Sequence, residues 1–225
     1  MNVVLGNWFV YFFSFLLAFC SLYYEYVSAQ VMSVYIGGTK GQYLIIISLF
    51  TCALGIGALL FNRLNKKFSV KRIFITIEIL LTLLGGASPY LISYLLGGNS
   101  PATLLDIILS YGLIFLIGLL SGFEIPCLFE LAPNRQGKIL AFDYLGMLAV
   151  SWVFPFLLLP HLGSGAGVLF VASLNLLALI WLLPKRNIWM KPIFGVLCFS
   201  LIILIVKNAD SLNHVLTALY LGDNL

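Results

Sequence analysis

The chain has 225 residues, of which 62% are hydrophobic and 9% charged, with a formal net charge of +4 and a mean hydropathy of +1.09. A soluble domain carries about 45–50% apolar and about 25% charged residues, and its core could not absorb this much apolar surface. The composition therefore excludes a soluble domain, and the small positive charge reads as membrane orientation and headgroup contact rather than nucleic-acid binding.

Seven apolar runs are each long enough to cross a hydrocarbon layer about 30 Å thick, which takes about 20 helical residues. In chain order they cover 8–36, 43–64, 70–96, 103–131, 139–160, 165–183 and 189–207. Barrel strands would alternate apolar and polar residues instead of running as continuous apolar blocks. The expected fold is an all-α integral membrane protein, a bundle of about seven transmembrane helices over residues 1–207, followed by a short tail over 208–225. In the tail, Leu212, Val215, Leu216 and Leu219 keep helical spacing, as a short interfacial helix would. The first run is too long for a signal peptide, and no small-residue cleavage pattern ends it.

Basic residues are placed unevenly. Arg63, Lys66, Lys67, Lys71 and Arg72 lie between the second and third runs, Arg135 and Lys138 between the fourth and fifth, and Lys185, Arg186 and Lys191 between the sixth and seventh. The other side carries only Lys40 and Lys207. The positive-inside rule then puts the N-terminus in the cytoplasm.

Four acids lie within or beside the apolar runs: Glu25, Glu78, Glu124 and Asp143. A carboxylate at membrane depth costs about 2.5–3.5 kcal/mol even on insertion scales, so such residues turn toward a protein interior or a wet cavity. Counting about 1.5 Å per residue puts Glu78, Glu124 and Asp143 in the cytoplasmic third and Glu25 nearer the middle. Glu25 is flanked by Tyr23, Tyr24 and Tyr26, whose phenols could donate to it while their rings face a cation; the alternative is an interfacial tyrosine belt. In the fourth run, Gly118 and Gly122 form a pair that admits a close neighbour helix. Pro126, two residues after Glu124, removes a backbone donor and frees a carbonyl near Gly122. The same residues also suit a packing kink. The candidate substrate-binding residues are Glu25, Glu78, Glu124, Asp143 and Tyr24.

Other chemistry is not indicated. Cys20, Cys52, Cys127 and Cys198 fall in separate runs without paired spacing, so they read as packing residues, with no metal site and no cofactor implied. His161 and His214 read as loop or interface residues, Asp106 as a helix-terminal charge facing water, and Glu130 as an interface residue. A Ser–His pair and an HExxH sequence, the marks of an intramembrane hydrolase, are both missing. The first and fourth runs each hold a glutamate, and Glu78 in the third corresponds to Asn175 in the sixth, which admits a 3+3 inverted repeat with one helix appended.

Several motifs in order resemble the N-terminal membrane region of membrane-bound polyamine aminopropyltransferases, the spermidine synthase-like fusion proteins. They are Cys20-Ser21-Leu22-Tyr23-Tyr24-Glu25, Leu54-Gly55-Ile56-Gly57-Ala58-Leu59-Leu60 with Arg63, Gly122-Phe123-Glu124-Ile125-Pro126, Asp143-Tyr144-Leu145-Gly146, and Phe154-Pro155 leading into Leu157-Leu158-Leu159-Pro160-His161-Leu162-Gly163. The resemblance implies a membrane domain that normally precedes a soluble, doubly wound synthase domain with a glycine-rich turn. No such turn occurs in this chain, so no aminopropyltransferase activity is expected of it alone. Residues 217–225 are similar to the opening of that synthase domain, an alternative to the interfacial helix. Two functions are then expected: a membrane protein that binds or moves a cationic, polyamine-like amine through its buried acids, or a non-catalytic anchor for a separate soluble synthase. With no targeting or retention signal, the expected location is a bacterial inner membrane.

Overall fold

The structure is a computed structural model that describes residues 7–37, 40–97, 102–182 and 190–221. Its elements are α1 (Asn7–Ile36), α2 (Lys40–Asn65), α3 (Val70–Gly97), α4 (Leu104–Ser121), α5 (Glu124–Leu131), α6 (Gln136–Val153), a π-helical segment (Phe154–Leu158), α7 (Leu159–Leu182), α8 (Met190–Lys207) and α9 (Ala209–Leu221). Among the described residues there is no strand. Lys185, Arg186 and residues 222–225 lie outside the described part.

The molecule is apolar on the outside as well as in its core, and most of its carboxylates and many of its serines are buried, unlike those of a soluble protein. Leu59 is 77% exposed and Leu104 73%, whereas Glu78 is 1% and Ser14 0% exposed. Only a hydrocarbon solvent makes that distribution stable, because exposed leucine costs nothing there and an exposed carboxylate costs most. The fold is that of a multi-pass helical membrane protein.

Side-chain pairs fix the direction of each helix. Phe13 meets Phe74, Ser28 meets Ser88 and Tyr35 meets Ser93, so α3 runs parallel to α1. Ser14 bonds the Ile139 carbonyl and Tyr26 bonds Ser151, so α6 does too. Tyr43 bonds Gln30 where α2 returns beside α1. The α4–α5 segment descends beside α2, with Gln42 bonded to Tyr111 and Gly122 against Leu54. Cys20 touches Val171 and Tyr23 touches Gly167, which makes α7 antiparallel to α1. The passes alternate, and α1 lies at their centre: 67% of its apolar window is buried, against 28% for α2.

Among the described residues five helical runs are long and apolar enough to span, one of them the 42-residue run 136–177. A straight helix of that length would measure about 63 Å. The chain instead reverses at Gly163, where φ is 70° and ψ 179°, a left-handed φ that suits glycine. The run is thus two passes. Counting α8 and α9, which meet at 69°, as one bent pass gives the seven expected from the sequence.

Two local expectations are corrected, and a third holds. In the fourth span the helical hydrogen bonding lapses at Gly122 and Phe123, which both keep right-handed helical dihedrals, as expected where Pro126 leaves a carbonyl near Gly122 free; residues 104–131 remain one pass. Asp106 does not face water but is 8% exposed, closing a capping box with Thr103 at 2.7 and 2.9 Å. Cys52 is exposed rather than packed, while Cys20, Cys127 and Cys198 are buried.

The α2–α4 seam carries the glycine pair. A Cβ at Gly122 would collide with the Leu54 carbonyl, one at Gly118 would stand 2.8 Å from the Phe50 carbonyl, and one at Gly57 would collide with the Leu119 carbonyl. Backbones this close allow dispersion contact along the whole seam, the main attraction between helices in lipid.

Candidate functional site

The break between α4 and α5 sets the site. Residues 122 and 123 form a turn, so Glu124 becomes the first residue of α5, beside amides that have no carbonyl partner and carry partial positive charge. From there its carboxylate points at α1. Ser21 Oγ donates to it, 3.0 Å from one oxygen and 3.1 Å from the other. Ser21 is the mid-height residue of the thirty-residue α1, so Glu124 sits at the centre of the bundle rather than in an outer third.

Glu78 enters from α3 and is 1% exposed. Neither of its carboxylate oxygens has a hydrogen-bond partner. It lies within electrostatic reach of Glu124, as does Asp143 of α6. Cys20 of α1 and Cys127 of α5 lie in the field of both glutamates. On the α7 side, Asn175 faces Glu78 and the Tyr24 hydroxyl. Its amide nitrogen donates to Thr82 Oγ1 at 3.3 Å, and its own carbonyl oxygen is unpartnered. The Tyr24 hydroxyl is likewise buried without a partner, its ring lying against Gly85 of α3.

The structure thus brings three of the four sequence-predicted acids, Glu78, Glu124 and Asp143, into one neighbourhood with Tyr24. Glu25 stands apart. It is buried at 4% exposure, one turn beyond Ser21 on the same face of α1, and none of the other acids acts on it. The tyrosines beside it do not enclose it: Tyr24 turns to α3, Tyr23 packs edge-on against Phe154, and Tyr26 bonds Ser151 at 3.0 Å. Ser21, Thr82, Cys20 and Cys127 belong to the same neighbourhood but were not singled out as site residues, because serine, threonine and cysteine are ordinary in membrane helices. Asn175 was visible only through its correspondence to Glu78.

Chemically, this is a buried neighbourhood of carboxylates and an amide oxygen beside an unpartnered phenol. Such an arrangement can take protons or an organic cation, since buried carboxylates need a counter-charge or hydrogen bonds to persist. Among the described residues, no three His, Cys, Asp or Glu side chains converge to hold a metal ion.

Fold and site together define a polytopic helical membrane protein with an acidic cluster at its centre. Comparison with known proteins makes this more particular. The chain is 35% identical over 156 residues to polyamine aminopropyltransferase 2 of Ralstonia nicotianae, covering 66% of this chain and 30% of that protein. It is 30% identical to the polyamine aminopropyltransferase of Leptospira interrogans over 75% of this chain and 34% of the relative, and 30% identical to polyamine aminopropyltransferase 2 of Streptomyces coelicolor over 93% and 39% respectively. This chain is related to the N-terminal membrane region of the polyamine aminopropyltransferases, and it spans about a third of the length of the relatives it matches. No protein-family model matches it, and no solved structure gives a significant match.

Proposed function

We propose that this membrane domain binds or moves a cationic, polyamine-like amine, with Glu78, Glu124 and Asp143 as counter-charges, Tyr24 as a hydroxyl and ring facing the amine, and Glu25 as a further acid along the path. The observation that carries the reading is Glu78, whose two oxygens lie deep in the bundle with no partner, in the field of a second glutamate. A multiply charged amine is the kind of ligand several spaced carboxylates attract in a low-dielectric interior. The relatives' names, which specify polyamine chemistry, support the same ligand class. The bacterial relatives and the distribution of basic residues support an inner-membrane location with the N-terminus in the cytoplasm.

The test is binding of labelled spermidine to the purified protein in nanodiscs across pH, with Glu124→Gln and Asp143→Asn alongside. Saturable binding that weakens at low pH, where protons compete for the carboxylates, and falls at least about tenfold in each variant is the expected result. Absence of binding at every pH removes the reading.

A second function has its own support: a non-catalytic anchor for a soluble synthase. The relatives are about three times as long as the matched region, and the exposed basic residues Lys66 and Lys67 of the α2–α3 loop and Arg72 at the start of α3 would face such a partner. A pull-down from solubilised membranes that recovers no synthase counts against it.

A further inference from the structure

At the opposite pole of charge from the central acids lies an open cavity of about 470 Å³ between the start of α1 and the α5–α6 turn, lined by Tyr11, Asn134, Arg135, Gly137 and Lys138. We propose that it is a binding site for a phosphate-bearing anion. The inference does not rest on the amine reading.

The lining is built of donors. Among the described residues no carboxylate contributes to it, and neither Arg135 nor Lys138 has an ion-pair partner. Helix α6 starts at this wall with Arg135 as N-cap and no side-chain capping bond. The amides of Lys138 and Ile139 turn back to the Arg135 carbonyl, which leaves those of Gln136 and Gly137 as unfilled donors at the positive end of an eighteen-residue helix. At Gly137 an added Cβ would meet nothing within 4 Å, so a ligand oxygen can approach the backbone directly.

Tyr11 is the independent sign of a ligand. It lines the cavity yet is only 8% exposed, and its hydroxyl has no hydrogen-bond partner among the described residues. Its ring is held by stacking on Phe142, with centroids 5.3 Å apart and planes 13° apart. A rigidly placed, unpartnered phenol is therefore presented to the same space as two cationic side chains and two free amides. Tetrahedral phosphate oxygens accept from all of these at once, arginine in bidentate fashion. The volume falls in the usual range for small ligands, about 300–1,000 Å³. The cavity also opens at the bundle end that carries the basic α2–α3 loop, the level at which a phospholipid headgroup would lie.

The lipid source and the free-phosphate source are separable on the full-length chain. Wild type is placed in nanodiscs of phosphatidylglycerol or of phosphatidylcholine, and lipid retained after mild detergent extraction is measured by native mass spectrometry. Thermal stabilisation by inorganic phosphate is measured in phosphatidylcholine. Variants are Arg135→Gln with Lys138→Gln, Tyr11→Phe alone, and Lys66→Gln with Lys67→Gln as a control of equal charge loss. Retention of phosphatidylglycerol that drops about tenfold in the first two variants and not in the control assigns the site to a lipid headgroup. Phosphate stabilisation with the same residue dependence assigns it to a free phosphate. An equal loss in the control, or no response to either probe, overturns the proposal. Tyr11→Phe keeps the stacked ring, so it isolates the hydroxyl even where the double variant fails to fold.

Discussion

Ser21 and Glu78 show two opposite fates for a carboxylate environment in a dry interior. Ser21 supplies the hydrogen bond to Glu124 that the structure assigns, so Ser21→Ala strips a buried charge-bearing group of its donor. We expect a loss of about 1–3 kcal/mol in stability, the usual penalty for orphaning such a group, read as a lower thermal midpoint in detergent. Glu78 has no hydrogen bond of ordinary geometry, with only the Asn175 amide beside it. Replacing it by glutamine removes the need to neutralise a buried charge, so Glu78→Gln is expected to leave the thermal midpoint unchanged or raise it while spermidine binding falls. That divergence between stability and binding is what functional residues show and structural glue does not. A clear loss of stability in Glu78→Gln would argue instead that the residue holds helices together.

Among the elements, the α2–α4 seam and the α7 turn are the most sensitive to single changes. Gly57 and Gly55 lie on the same helix two residues apart, yet a Cβ at Gly57 would collide with the Leu119 carbonyl while one at Gly55 would meet nothing. Gly57→Ala is therefore expected to cost about 1–3 kcal/mol through forced separation of the seam, and Gly55→Ala to be neutral or slightly stabilising through helix propensity. At the turn, Asn213 of α9 reaches back to both sides of the break at Gly163. Its amide donates to the Leu162 carbonyl at 2.7 Å, and its oxygen accepts from the amides of Gly165 and Ala166 at 3.1 and 3.3 Å. Asn213→Ala removes all three bonds and should cost about 1–2 kcal/mol, as loss of a strong cap does, with faster proteolysis near the turn as the local readout.

For the whole molecule, alternation of the passes puts the α2–α3 loop at one end of the bundle and α9 at the other. Lys66 and Ser211 are both exposed. With native cysteines removed, a cysteine replacing Ser211 should react with a membrane-impermeant maleimide on intact cells, and one replacing Lys66 only after the membrane is opened. The reverse pattern would invert the proposed orientation and move the basic cavity to the outer surface. The same alternation brings Glu78 on α3 and Asn175 on α7 face to face, so the two residues that an inverted repeat would relate meet at one centre.

How much of this was legible in the sequence follows from which forces act locally. Run length and apolarity determined the membrane class, the helical fold and the approximate passes, because each helix must satisfy its own backbone in lipid whatever its neighbours do. The same solvent marked the four acids as inward-facing, since no isolated helix would turn them to hydrocarbon. The small residues at 118 and 122 announced a close contact but not its partner. Tertiary structure alone decided that Glu78 and Asp143 both come within electrostatic reach of Glu124, that Ser21 donates to Glu124, and that Asn213 closes a turn fifty residues away. Each of those depends on the rotation and depth of one helix against another, and these are set by contacts between residues far apart in the chain, which no local pattern encodes.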